Sequence, residues 1–264
     1  MAGPTTTAEE AEARAGAPGG GAGAGAARRF RRRRLAALLA AVAMAGAVAW
    51  LLYGSSWLRA TTVSVGGTRV LTAAQVRAAA DLPLGGALVS VDTDAAARRL
   101  RAGLPRVATV DVSRSWPHTV TITVTERTPS AVVPGGDGKF TEVDGDGVRY
   151  ATVTTPPRGV PLLRFALSPT ATASTRLFGT RRLLRAGVEV AEKLPPAVRR
   201  DATIVTVSGY DSITVRLTGA RTVTWGSPEE GERKAAALTA LLKGVKGATN
   251  YDVSAPAAPA VTSD

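Results

Sequence analysis

His118 is the only imidazole in this chain of 264 residues, and there is no cysteine. Thiolate chemistry, disulfides and cysteine-based zinc sites are therefore closed to it, and a transition-metal site would need carboxylates almost alone. His118 follows Pro117 at what reads as a turn, which suits a surface role better than catalysis. The nearest approach to a hard-cation loop is Asp144-Gly145-Asp146-Gly147. It lacks the third ligand position and the closing glutamate of a calcium loop, and reads as a tight hairpin turn. The glycines of residues 15–27 (AGAPGGGAGAGAA) have no dinucleotide-binding spacing and no preceding strand. Nucleophile elbow, phosphate loop and His-Glu-x-x-His are all missing. Aspartates and glutamates are scattered, with no spacing that favours a carboxylate pair. The chain thus reads as a non-enzyme with no metal and no cofactor; a cell-wall hydrolase or transferase stands as the alternative.

What remains is binding, and the charge distribution says where. The formal charge is +12, and residues 1–34 hold seven arginines against three glutamates. No basic stripe with interleaved aromatics follows, so nucleic acid is not the expected partner. Six of those arginines form the cluster of residues 28–34 (RRFRRRR), directly before the uncharged apolar run of residues 35–53 (LAALLAAVAMAGAVAWLLY). About 20 such residues cross a bilayer core. Leu35 and Leu39 strengthen an otherwise alanine-rich span, and Trp50, Tyr53 and Trp57 mark its far border, where amphipathic rings gather. Arginines flanking a span are retained in the cytoplasm, which puts the N-terminus inside and the C-terminal part outside. Two A-x-A patterns, residues 43–45 and 47–49, would also suit signal cleavage and an exported binding protein. The apolar run is longer than a signal core and follows a 34-residue tail, which favours an uncleaved anchor. Residues 1–34 read as a disordered cytoplasmic tail and 35–57 as the transmembrane anchor.

Residues 58–127 carry the pattern β-α-α-β-β. Val63 and Val65 alternate with Thr62 and Ser64; Thr72-x-x-Gln75 resembles a capping box; Asp94 is the expected N-cap of a second helix over 95–102. Two period-2 runs follow, one placing Ala108, Val110, Val112 and Trp116 on one face, the other Val120, Ile122 and Val124. Val63-x-Val65-x-Gly67, residues 88–92 (LVSVD), Leu104-Pro105-x-Val107, residues 110–117 (VDVSRSWP) and Val124-x-Glu126-Arg127-x-Pro129 stand in that order behind the anchor. In order and spacing this series resembles the POTRA domain of the FtsQ/DivIB family of bacterial cell-division proteins.

Residues 128–264 read as a β-rich second unit. Strands are expected near 131–134, 139–143 and 147–153, a helix over 176–194, strands over 202–208, 212–217 and 221–225, a helix over 228–243 opened by Pro228, and a last strand over 250–254. The fold class is α+β: one transmembrane helix, a POTRA domain, and a mixed, mostly antiparallel β-domain with two flanking helices. Val223-Thr224-Trp225-Gly226, Glu232-Arg233-Lys234 and Leu238-x-x-Leu241-Leu242 again resemble the β-domain of that family. The resemblance implies a non-catalytic scaffold of the division machinery. It links early and late division proteins at the septum and captures small bitopic partners of the FtsB (DivIC) and FtsL kinds on the C-terminal edge of the β-domain. Carried over, the partner-binding stretch is Tyr251, Asp252, Val253, Ser254, Ala255, Pro256 and Ala257. Pro256 and Pro259 confine this stretch to a sheet edge or beyond, because proline cannot donate to a ladder. Residues 255–264 form either an edge strand or a frayed tail.

Overall fold

The computed structural model describes residues 22–166, 171–245 and 247–263. Its first element is helix α1 (Ala22–Gly54), and an 18-residue window within its stretch Arg33–Gly54 has a mean hydropathy of 2.4 and no buried share. Those 22 residues rise about 33 Å, enough to cross a hydrocarbon core. The expectation of a disordered tail over 1–34 is corrected for 22–34, which are the first turns of this helix. Alanine and arginine are strong helix formers, and a helix already formed in the span propagates over residues that could not nucleate one alone. Residues 1–21 of that tail lie outside the described residues.

The first folded unit is β1 (Thr62–Gly66), α2 (Ala73–Ala80), α3 (Thr93–Gly103), β2 (Val107–Ser115) and β3 (Thr119–Glu126). The sheet order is β1-β3-β2, with β1 parallel and β2 antiparallel to the central β3. Val120, Ile122 and Val124 are buried as their alternation predicts, Ile122 and Val124 against Val76, Leu100 and Val110, and Val120 against Ala60, Leu88 and Val91. The capping box at Thr72 and Gln75 is closed in both directions. Helix α3 begins earlier than expected: Asp92, not Asp94, is its N-cap, its carboxylate accepting from the Ala95 amide at 2.8 Å. Asp94 sits inside the first turn instead, where a negative charge suits the helix dipole. The expected inward face of β2 is also revised. A register shift between Val107 and Thr109 lets both Val107 and Val110 point inward, and Trp116 is 51% exposed. A bulge adds one residue to one strand, and the alternation changes phase across it.

The second unit holds β4 (Ala131–Pro134), β5 (Phe140–Val143), β6 (Arg149–Val153), β7 (Leu162–Phe165), α4 (Ala171–Lys193), α5 (Pro196–Asp201), β8 (Ala202–Gly209), β9 (Ser212–Leu217), β10 (Thr222–Gly226), α6 (Gly231–Gly244), β11 (Asn250–Asp252) and β12 (Ala260–Thr262). Together the strands make one nine-stranded mixed sheet, order β12-β11-β10-β9-β8-β7-β4-β5-β6. Helix α4 packs on β8, and a Cβ at Gly187 would stand 2.5 Å from Leu163 Cδ1 and 2.8 Å from Val207 Cγ2, so only glycine allows this approach. Trp225, Leu163, Leu183, Ile213 and Leu238 are fully buried in the core between sheet and helices.

Three differences from the sequence expectations stand out. Strand β7 was not foreseen, yet it joins the two halves of the sheet, parallel to both β4 and β8. Pro195-Pro196 ends α4 but also starts the short α5, with Pro196 in its first turn. Helix α6 starts at Gly231 rather than Pro228. Buried Lys234 reaches back to donate to the Ser227 carbonyl at 2.8 Å, closing residues 227–230 into a turn. The Asp144 cluster is a hairpin turn: the Asp144 carboxylate accepts from the Asp146 and Val148 amides and pairs with Arg127.

Candidate functional site

With no histidine–carboxylate or cysteine chemistry to place, the site has to be sought at the ends of the sheets. Among the described residues, no cluster of three or more His, Cys, Asp or Glu is placed to hold a metal ion. His118 is exposed, its Nδ1 3.3 Å from the Thr119 hydroxyl. Along α1, Leu35, Leu39, Trp50 and Tyr53 are all more than half exposed.

The expected partner strand is where the structure departs furthest from the sequence reading. β11 is not an edge. It pairs parallel with β10 on one side (Val223 opposite Tyr251) and antiparallel with β12 on the other (Tyr251 opposite Val261). The main chain of 250–252 is therefore occupied on both sides, and Tyr251 and Val253 are 3% and 0% exposed. Both side chains belong to the core of the sheet domain. Asp252 ends the strand: its Oδ1 accepts from the Ser254 amide at 2.8 Å and hydroxyl at 2.7 Å. Residues 255–258 then turn, with the Ala258 amide donating to the Ala255 carbonyl at 3.0 Å. The chain returns as β12, tied at its far end by Thr249 N–H to Thr262 O at 3.2 Å. Residues 260–262 are thus a strand and not a frayed tail, and Pro256 and Pro259 belong to the return loop.

Among the described residues, β12 is the last strand on this side of the sheet. Ala260 and Thr262 are exposed, and Val261 is partly buried on the core. Ser254, Ala255, Pro256 and Ala257, all from the expected stretch, come together in the return loop and face α6. Between them and the α6 face of Arg233, Ala236, Ala237 and Ala240 lies an open groove of about 900 Å³. The loop's position depends on Gly226, whose φ is +77° and whose missing Cβ would be 3.0 Å from Ser254 Cβ. At the head of α6, Ser227 holds the Glu229 carboxyl below its ordinary range against an opposing effect of burial. Burial pushes the Lys234 ammonium down. Sequence reading left β12 open between strand and frayed tail and missed the small-residue face of α6, for which the alanines of 235–240 were the available signal.

A second polar constellation fixes the junction between the two units. Arg106, just before β2, pairs with Glu142 of β5 at 2.9 Å and lies 5.2 Å over the Tyr150 ring. Arg127 pairs with Asp144, and its amide donates to the Arg106 carbonyl. Glu142 is only 4% exposed; burial pushes the Tyr150 hydroxyl well up, and the Glu142 carboxylate beside it adds to that.

Residues 58–127 match the family model described as POTRA domain, FtsQ-type. Over 228 residues the chain is 56% identical to the cell division protein FtsQ of Streptomyces collinus, covering 86% of this chain and 85% of that one. With FtsQ of Streptomyces coelicolor the identity is 50% over 262 residues, 98% of either chain. The more distant FtsQ of Mycobacteroides abscessus is 34% identical over 86% of this chain and 68% of its own length. The chain belongs to the FtsQ family. A POTRA domain, a β-sheet domain and a single apolar helix long enough to cross a membrane agree with that membership. A part in bacterial cell division, through protein–protein interactions of the division machinery, goes with it.

Proposed function

We propose that the chain is a non-catalytic scaffold of the division machinery, held in the membrane by α1 and concentrated at the septum. The proposed layout is a cytoplasmic segment over 1–34, the anchor over 35–57, the POTRA domain over 58–127 and the β-domain over 128–264. The arginine cluster before the span keeps the N-terminus in the cytoplasm and both folded units outside. As a scaffold it recruits and links early and late division proteins. Its β-domain captures bitopic partners resembling FtsB (DivIC) and FtsL.

The observation that carries the reading is the open outer side of β12. An unpaired edge exposes main-chain donors and acceptors, which native proteins either cover or use. A partner segment added there as a tenth strand gains affinity from main-chain hydrogen bonds and needs no special side chain. The groove against α6 would receive whatever flanks that strand, with Ser254, Ala255, Pro256 and Ala257 as its near wall. Aspartates at exposed Ala260 and Thr262 leave buried Tyr251 and Val253 and half-buried Val261 intact but burden the edge with charge. The expected result is loss of capture of a purified FtsB-type fragment by the doubly substituted chain, with unchanged thermal unfolding. Unchanged capture would overturn the assignment to β12.

A further inference from the structure

The POTRA domain has one end that its neighbours in the fold leave apolar, and it is the end nearest the membrane. Because β1 runs parallel to β3, Thr62 lies opposite Thr119, and the start of β1 and the hairpin 116–118 share one end of the sheet. The Thr61 and Thr62 amides both donate to the His118 carbonyl, at 3.0 and 3.2 Å. The loop before Leu88 is stitched to the same place: Ala60 and the pair Gly85, Gly86 exchange hydrogen bonds of 2.8 and 2.9 Å, and Arg59 bridges to Ala87. From Gly54, where α1 ends, to Thr61 there are seven residues, three of them in the 3-10 turn Ser56–Leu58. Such a connection spans at most about 20 Å. Helix α1 also lies against residues 88–90. This end of the domain is therefore seated on the end of the span.

Beyond Gly54 the described residues include five large apolar side chains that stay exposed, and three of them are here: Trp57 at 70%, Leu84 at 56% and Trp116 at 51%. Each comes from a different segment, so no single amphipathic helix explains them. Arg59 and Arg114 flank them, and neither has a carboxylate partner among the described residues; Arg114 donates to the Val91 carbonyl and Arg59 to that of Gly85. Exposed indoles beside cations are what the headgroup layer of a bilayer favours, since the rings sit at the polar boundary and the cations meet phosphate.

We propose that the membrane-proximal end of the POTRA domain, built from Trp57, Leu84 and Trp116 with Arg59 and Arg114, docks on the outer face of the lipid bilayer. The inference rests on the reading of α1 as an anchor. Docking fixes the tilt of the outer units relative to the membrane, and hence the height at which β12 is offered. Because the chain has no cysteine, single labelling sites can be introduced cleanly.

The full chain, reconstituted alone in phosphatidylethanolamine–phosphatidylglycerol vesicles, carries an environment-sensitive fluorophore at Tyr53→Cys, His118→Cys or Val148→Cys. Lipids bearing a quencher in the upper acyl chain are then included. Quenching at 53 with none at 148 reports a correctly inserted anchor. The expected result is a severalfold loss of emission at 118 as well, relieved when Trp116 and Leu84 are both replaced by serine. Quenching at 53 but none at 118 would overturn the docking and leave the anchor standing. Quenching at 118 that survives the double serine replacement would overturn the assignment to these side chains. No quenching at 53 would overturn the anchor reading, and the docking with it.

Discussion

Glu126, the last residue of β3, holds together a part of the POTRA domain that has little core of its own. Its carboxylate accepts from the Arg69, Val70 and Leu71 amides, at 2.7, 3.1 and 2.9 Å, and so fixes the loop that leads into α2. Burial pushes the Glu126 carboxyl upward, but the three amides favour the charged form and hold it below its ordinary value of 4.5. Replacement by glutamine keeps the shape and removes the charge. Oε1 already accepts from all three amides, so glutamine keeps that acceptor, loses the charge, and turns its NH2 toward the Val70 amide in place of Oε2. A hydrogen bond to a charged group contributes about 1.5–3 kcal/mol, and part of it survives as a neutral bond, so the loss is about 2 kcal/mol. The fitting assay is amide exchange at residues 69–71, because two units joined in one chain need not unfold as one. At neutral pH, protection there should fall about thirtyfold in Glu126→Gln, with β8 and β9 unchanged. A folded-state value below the unfolded one gives a contribution that is full above pH 4.5 and is lost as pH falls through the lower folded value. The two proteins should therefore converge in acid. Equal protection at pH 7, or a difference that persists unchanged in acid, would refute the reasoning.

Two further outcomes are expected. Glu142→Gln leaves the Arg106 guanidinium half of a broken, largely buried pair at the junction. Removing one partner of such a pair costs about 3 kcal/mol; a drop in the thermal midpoint and a broadened distance distribution between spin labels at Arg77→Cys and Val148→Cys would show it, and an unchanged distribution would mean that the junction is held otherwise. Gly226→Ala forces a side chain into a left-handed backbone and against Ser254 Cβ, costing about 1–2 kcal/mol. Capture of a bitopic partner should weaken with it, because the return loop shifts; partner capture at wild-type strength from a folded Gly226→Ala protein would separate the loop from binding.

Where side-chain alternation is strict, the sequence was enough. Val120, Ile122 and Val124 lie inward because a period of two can satisfy only one face, and the β-α-α-β-β order follows from caps and turns that act locally. Legibility fails where a tertiary partner decides. Four residues from Leu162 to Phe165 have no periodicity to recognise, yet they become the strand that joins the halves of the sheet, since β4 and β8 each offer a parallel edge. At β2 an extra residue near its start brings Val107 inward beside Val110, while Trp116, in phase with Val110 and Val112, falls past the strand's end at Ser115 and is exposed.

The edge of the sheet was misplaced for a related reason. Alternation in 250–254 is compatible with an edge or an interior strand, and Pro256 and Pro259 are equally at home beyond an edge or in a return loop. What decides is the crossover through α6, which lays β11 parallel to β10 and leaves room outside it for β12. No residue in 250–262 states that choice by itself. Binding by strand addition compounds the difficulty: it recruits main-chain groups that every residue possesses, so the sequence carries no chemical signature of it. Here the informative quantity is which N–H and C=O groups lack a neighbour, and that becomes visible only once β12 is seen to close over Tyr251 and to present its own outer side.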